Sequence, residues 1–551
     1  MSFAPASLPW LQIFSLATAW HMVQGVVSQS GVDETATGNP SPSVRQLLRG
    51  FRRGALTGWI YGFAMFVVGV CWLYISLHEF GEVPAVIAGL AVVALAAYMG
   101  LFPAFALGVA GLIMVALRMR LRFNSPAAAV SATPFSSTSA PPPSPLAWGV
   151  TAVVAAMAWA LSEWLRAVVF TGFPWLATGE AWVDTPLAGF YPLAGSYGVA
   201  FLVALAAFLL SGVSRRLGPA FASVAAFCLA AGLAGETLKT HNWGQEEVAT
   251  VRVHLVQPDV SQTIKFDPDH ITRNFLDTIM LGRRAAEDSA PGDWLMFPET
   301  ALPVLWQEAP ARWRDAFAEL AFEYQVPVVM GAALQDGHDI YTNSVIALLP
   351  EQMRAPEQPA LRYDKRHLVP FGEFIPPGFR WFVDFMNMPL GDFTRGRGSP
   401  VPFKLGALRV LPNVCYEDVF GQEMAHLVRS ATDEPNVLFN VSNLAWFGGS
   451  WALEQHGQMS RVRAAELRKP MVRATNTGIS GVINARGDWV MRMPDNERAV
   501  ASAEVVGTRG LTPFATHGLG ITVVFVLTVS ALFLLMACLL AFAAGRRGDV
   551  Q

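Results

Sequence analysis

The chain predicts a polytopic α-helical membrane domain joined to one α/β domain with sheets buried beneath helices, and three observations predict it. Seven apolar runs reach the length needed to cross a hydrocarbon core of about 30 Å. Charge is gathered into one stretch, and within that stretch short β-rich runs alternate with helical patterns. The 551 residues hold 39 basic and 42 acidic side chains, a net of −3, and charged residues make up 15% of the chain, against roughly 25% in ordinary soluble proteins. Of those 81 charges, 60 lie between Thr237 and His517 and only 21 elsewhere. A near-neutral balance without basic runs leaves no face for a polyanion, so no nucleic-acid partner is expected.

The apolar runs fall near 9–28, 55–77, 84–117, 146–170, 186–210, 217–235 and 519–543. Arginine clusters set their direction: Arg45, Arg49, Arg52 and Arg53 precede the second run, Arg118, Arg120 and Arg122 follow the third, Arg215 and Arg216 separate the fifth from the sixth, and Arg546 and Arg547 follow the last. All four clusters become cytoplasmic if 84–117 crosses once, as a long helix tilted or broken at Pro103. Residues 237–518 then lie on the far side, between the sixth and seventh runs. The expected domains are thus 1–236, with disordered Ser/Pro-rich linkers near 29–44 and 124–145; 237–518, soluble; and 519–551, a closing helix and cytoplasmic tail. The same parity puts the N-terminus outside, which points to a missing upstream helix or to a first run that does not span. Trp175 and Trp182 fit an outer aromatic belt, and Glu163 and Arg166, one turn apart, are expected to pair.

In the soluble stretch, β-rich runs at 251–257, 294–298, 327–332, 408–414, 436–442, 471–475 and 481–485 alternate with helical patterns at 269–287, 309–325, 420–430 and 451–469, which indicates sheets beneath helices. Three places in this stretch end a strand with a polar or reactive residue. Glu299 in FPETALP follows WLMFP, where desolvation suits a general base; a helix cap is the alternative. Lys365 in YDKRHLVPFGEFIP offers a fixed positive charge for an oxyanion; a solvated cluster is the alternative and is preferred for Arg366 and His367. Glu373 in the following turn either orients Lys365 or satisfies backbone amides. Cys415 in LRVLPNVCYEDVF ends a β-rich run beside Tyr416, Glu417 and Asp418, an unusual setting for a packing thiol. A base, a cation and a soft nucleophile are the minimum for acyl transfer through a thioester.

On these motifs, together with GWIYGFAMFVVGVCWLYISLHEFG (58–81), EWLRAVVFTGFPWLATG (163–179) and YPLAGSYGVAFL (191–202), the chain resembles the nitrilase, or carbon–nitrogen hydrolase, superfamily and within it the apolipoprotein N-acyltransferase family. The resemblance implies a nitrilase-like αββα sandwich for the α/β domain, in which Glu299, Lys365 and Cys415 form the catalytic triad, with Glu373, Tyr416, Glu417, Asn443 and Trp446 supporting it. It also implies an additional helix upstream. Three departures stand out: Phe266 where the family commonly has Trp, Gln257-Pro258-Asp259 in place of Gln-Gly-Asn, and Leu444 in place of Asp. The implied reaction moves an acyl chain from a membrane phospholipid to Cys415 and then to the N-terminal amine of a diacylglyceryl-cysteine apolipoprotein, at the outer face of a bacterial inner membrane. No cofactor or metal is expected, and a monomer would suffice. Phe379, Trp381, Phe382 and Phe385 suggest an amphipathic lipid entrance, and Trp175 a second one; packing on the protein's own core is the alternative. Sequence leaves open two competing readings: an anchored amidase that transfers to water, and a non-catalytic scaffold or transporter.

Overall fold

The computed structural model describes residues 1–28, 43–123, 145–211, 219–338, 340–376, 378 and 393–548. The membrane part is a helical bundle: α1 (Trp10–Ser28), α2 (Val44–Gly69), α3 (Ala85–Met99), α4 (Leu101–Phe123), α5 (Pro145–Val168), α6 (Tyr191–Leu210) and α7 (Pro219–Thr240), joined by the closing helix Leu519–Gly548. Among the described residues four stretches are long and apolar enough to cross a membrane: Ala85–Leu117, Ala147–Thr171, Pro186–Leu210 and Leu519–Met536. A fifth is the pair Val44–Gly69 and Leu73–Phe80, bent by 61°. The single crossing expected for 84–117 therefore has its counterpart in α3 and α4, which join through a right-handed helical Gly100. Leu56, Ile60, Leu90, Phe105, Leu161, Leu229, Val524 and Leu532 project outward from these helices, an apolar surface that needs lipid around it.

Close packing of α2 against α4 is written in its glycines. Gly50, Gly54, Gly58 and Gly62 recur every fourth residue and make one face of α2. A Cβ on Gly54 would fall 2.2 Å from the Leu107 carbonyl oxygen, and one on Gly58 would fall 2.3 Å from that of Pro103. Small residues at this spacing let two backbones approach where lipid gives no hydrophobic drive to helix pairing. α6 is almost wholly buried and forms the axis of the bundle.

The chain's α/β part has two six-stranded sheets. The first runs in the order β12-β1-β2-β3-β4-β5 and the second β11-β10-β9-β8-β7-β6. The strands are β1 (Glu246–Gln257), β2 (Trp294–Met296), β3 (Val328–Gln335), β4 (Tyr341–Leu348), β5 (Leu361–Asp364), β6 (Phe403–Leu405), β7 (Leu408–Val414), β8 (Val437–Ser442), β9 (Met471–Thr475), β10 (Gly481–Ile483), β11 (Trp489–Arg492) and β12 (Ala499–Arg509). The central pairs β1–β2, β2–β3, β7–β8 and β8–β9 are parallel, so β2, β3, β7, β8, β9 and the last five residues of β1 are largely buried on both faces and read as apolar runs. Val253, Met296, Val329, Val345, Val410, Phe439 and Val472 fill the space between the sheets. Helices α8 (Ile271–Ala286) and α9 (Ala311–Tyr324) cover the first sheet, and α10 (Gly421–Ser430) and α11 (Trp451–Leu467) cover the second. This is an αββα sandwich.

The sandwich sits on one end of the bundle through polar contacts. Glu163 accepts hydrogen bonds from the Thr178 amide (2.8 Å) and hydroxyl (2.6 Å), while Arg166 donates to the Phe173 carbonyl at 2.7 Å and the Trp175 carbonyl at 2.5 Å. The two side chains thus hold the 173–178 loop rather than forming a direct ion pair. Trp175 and Trp182 are buried, not on a lipid-facing belt: their indole N–H groups donate to Gln455 (2.6 Å) and Gln12 (2.8 Å). An indole at a bundle–domain joint meets the same need for an apolar body and a polar tip as one at a membrane surface.

Candidate active site

Glu299, Lys365 and Cys415 each lie just beyond a strand: β2, β5 and β7. Residues 297–301 run alongside β3, with Phe297 N donating to Val329 O at 2.8 Å and Gly331 N to Pro298 O at 3.1 Å. Gly331 is required there, because a Cβ on it would lie 2.5 Å from the Glu299 Cα. Lys365 N donates to Asn343 O at 2.8 Å, which extends the β4–β5 pairing to the lysine. Cys415 has φ of +49°, a left-handed conformation that an ordinary side chain adopts at a cost of order 1–3 kcal/mol and that clusters at functional sites. It turns the chain sharply from β7 into the helical turn 415–419.

One set of hydrogen bonds joins Glu299 to Lys365 through Asn343 and Glu373, and a second set, centred on Glu417, ties the chain after β5 to the turn at Cys415. The buried ammonium of Lys365 sits 2.9 Å and 2.8 Å from the two Glu373 carboxylate oxygens. The Asn343 amide donates to Glu299 Oε1 and to Glu373 Oε1, each at 2.7 Å. The Asn443 backbone N–H donates to Glu299 Oε2 at 2.8 Å, and its side chain is held by Gln262 and Asn476. Glu417 accepts from the backbone N–H groups of Val414 (2.7 Å), Arg366 (2.7 Å) and His367 (3.2 Å), and from the Tyr363 hydroxyl. It therefore ties the end of β5 to the end of β7 and fixes Lys365 relative to Cys415. Tyr416 reaches the other way, its hydroxyl donating to the Gly172 carbonyl of the bundle at 3.1 Å.

Electrostatics show that the three groups share one site. Burial pushes the Cys415 thiol up to about 12, with Glu299 and Glu373 adding to the rise and Lys365 opposing it. Burial alone would lower the Lys365 ammonium, but Glu373, Glu299 and Cys415 together raise it above its ordinary value, so it stays charged at any physiological pH. Behind the turn, burial alone would raise the Asp418 carboxyl, yet His456, Arg473 and Ser460 hold it below its ordinary value. Asp418 Oδ1 accepts from His456 Nε2 at 2.7 Å and Oδ2 from Arg473 at 3.1 Å. A buried carboxylate paired on both sides in this way locks the backbone just after the cysteine.

Two models of known families match the chain: one described as the apolipoprotein N-acyltransferase N-terminal domain over residues 1–209, the other as carbon-nitrogen hydrolase over 252–513. A Bordetella bronchiseptica protein named apolipoprotein N-acyltransferase is 38% identical over 537 residues, covering 94% of this chain and 91% of that one. Proteins of the same name from Ralstonia nicotianae (38% over 519 residues, 94% and 87%) and Nitrosomonas europaea (35% over 504 residues, 90% and 90%) are also similar. The chain belongs to the apolipoprotein N-acyltransferase family. Like that family it is a multi-pass membrane protein carrying a carbon–nitrogen hydrolase domain, and it is an N-acyltransferase by membership.

Leu444 and Phe266, which the sequence marked as unusual, have distinct settings. Leu444 is buried with Trp72, Trp175 and Phe420, where a carboxylate would need a partner. Phe266 is half exposed, next to the buried Lys265. Trp446 is also partly exposed, and its ring meets Phe80 of the bundle edge-on at 6.3 Å. Phe379, Trp381, Phe382 and Phe385 lie outside the described residues. Sequence reasoning missed Asn343, Tyr363, Lys265 and the Asp418–His456–Arg473 cluster. Asn343 sits between Thr342 and Ser344 in YTNSVIAL, and a run of three polar residues in a buried strand was the signal that pointed to it.

Proposed function

We propose that Cys415 accepts a fatty acyl chain from a membrane phospholipid and passes it to the α-amino group of a lipoprotein's N-terminal diacylglyceryl-cysteine. Glu299 takes the thiol proton as sulfur attacks the ester carbonyl, and Lys365 with a backbone N–H stabilises the oxyanion. The C–O bond breaks and the proton returns to the leaving lysophospholipid oxygen. The amine then attacks the thioester, Glu299 receives its proton, and the thiol is restored. Glu373 orients Lys365, Glu417 fixes the turn, and Asn443 aims the base. The buried network that joins Glu299, Glu373 and Lys365, with the Cys415 thiol within electrostatic reach of all three, carries this reading.

The parts 1–236, 237–518 and 519–551 serve as membrane domain, catalytic domain and closing anchor, with the catalytic domain periplasmic on the inner membrane and a monomer sufficient. Orientation rests on the arginines: Arg45, Arg49 and Arg52 begin α2, whose far end reaches the domain side, where a Cβ on Gly69 would touch Leu176. Arginine at the ends remote from the domain favours a cytoplasmic location for those ends. Intact mass after incubation with phospholipid vesicles tests the reading. An acyl adduct on Cys415, absent in Cys415→Ala and transferred on addition of a diacylglyceryl-cysteine peptide, is expected. Release of free fatty acid without peptide acylation would mean that water is the acceptor.

A further inference from the structure

We propose that Asn343 is a positioning residue that keeps the Glu299 and Glu373 carboxylates as two separate ionised groups, by giving each its own amide N–H. This rests on the reading above, in which Glu299 takes the Cys415 proton. Two oxygens that each lie 2.7 Å from one nitrogen are within 5.4 Å of one another. At that separation in a buried site, two carboxylates tend to share a proton, and the one that holds it is no longer a base.

The Asn343 amide removes the reason to share. Its orientation is fixed by its surroundings, since the flipped carbonyl would face two anionic oxygens. Each carboxylate then has a full set of donors: Glu299 has Asn343 and the Asn443 backbone, and Glu373 has Asn343, Lys365 and the Val369 backbone at 2.8 Å. The Asn343 carbonyl holds the Lys365 backbone from the same strand. The charged and titratable groups around the pair are Lys365 beyond β5 of the first sheet, Cys415 beyond β7 of the second, and Lys265 on the short helix Gln262–Lys265, whose ammonium donates to the Glu299 carbonyl at 3.3 Å. None of these supplies a neutral donor to both carboxylates, and Asn343 does.

The test is the pH dependence of Cys415 alkylation by iodoacetamide in the full-length protein in detergent, with no lipid substrate present, for Asn343→Asp and Asn343→Ala. The Asp variant is nearly the same size but faces the carboxylates with acceptors, so a proton must be taken up. Its alkylation rate at pH 7 should fall at least tenfold, and the acid limb of the profile should move up by about one pH unit. The Ala variant should shift the limb in the same direction by less, and KM for phospholipid should stay near wild type in both while kcat falls. A loss that is equal at every pH, or wild-type profiles in both variants, would overturn the proposal; if the Asp variant does not fold, the Ala variant decides by the same criterion. A shifted limb in a protein whose wild type never acquires an acyl adduct would sink the acyl-transfer reading and leave this one standing.

Discussion

Burial that pushes the Cys415 thiol up to about 12 keeps it largely protonated at pH 7; in the proposed reaction its proton therefore leaves as the bond forms, and Glu299, held by Asn343 and Asn443, receives it. Glu299→Gln should therefore slow Cys415 alkylation at pH 7 by roughly 10²–10⁴; mass spectrometry of the alkylated protein reads this directly, and an unchanged rate would remove Glu299 from the role. Lys265 makes a second residue-scale case. Burial lowers its ammonium from 10.5 to about 8, and below pH 8 both folded and unfolded chains hold the proton, so the full cost of about 3 kcal/mol stands. Between pH 8 and 10.5 the unfolded chain binds a proton that the folded one has lost, and stability rises with pH across that window. Lys265→Met should raise the thermal midpoint at pH 7 and flatten the rise above pH 8, yet lower acyl transfer, because the Glu299 carbonyl loses its ammonium donor. A variant more stable but fully active would show that the ammonium plays no part at Glu299, and one no more stable than wild type would show that its burial carries no cost.

At the scale of elements, α2 and α4 depend on missing side chains. Gly54→Val would drive a branched side chain into the Leu107 carbonyl, and overpacking of this kind costs about 1–3 kcal/mol. Thermal unfolding in detergent should show that loss, whereas Gly89→Ala, with open space around its Cβ, should be neutral. Elements also divide by how readable they were. The parallel strands β2, β3, β7, β8 and β9 lie near expected runs because burial on both faces leaves unbroken apolar stretches. The helices α8, α9, α10 and α11 lie within two residues of their expected limits, since an apolar stripe along a polar helix is a strong signal. Strands β4, β5, β6, β11 and β12 were not foreseen: β5, β6 and β11 are three or four residues long, and β12 is half-exposed along most of its length. Glu299 and Cys415 were legible because each follows an apolar run, and Lys365 because it stands in a polar knot before an apolar turn, but Asn343 acts through contacts that only the folded sheet creates.

At the scale of the whole molecule, a lipid-borne reaction requires that the sandwich be held rigidly on the bundle, and a buried ion cluster does this. Arg463 on α11 pairs with Glu180 from the bundle's 178–182 turn at 2.7 Å and with Glu466 at 3.1 Å, and Glu466 accepts from the Ser196 backbone at the start of α6 at 2.7 Å. All three side chains are buried. Burial pushes the Glu180 carboxyl up to about 7, Arg463 pulling it down and Glu466 pushing it further up, so the guanidinium is what keeps two acids tolerable at this joint. Removing it leaves them facing each other without compensation, and breaking a buried pair in this way costs about 3–5 kcal/mol. Arg463→Met should therefore lower the thermal midpoint sharply at pH 8 and less at pH 5.5, where Glu180 takes up a proton and the repulsion eases. Limited proteolysis should cut near residues 240–245 and 510–518 in the variant at pH 8, where the sandwich joins its flanking helices. Cys415 alkylation should persist, because the catalytic network lies within the sandwich. If the variant is as stable as wild type at both pH values, the joint is held by Trp175, Gln455 and their neighbours and not by this cluster.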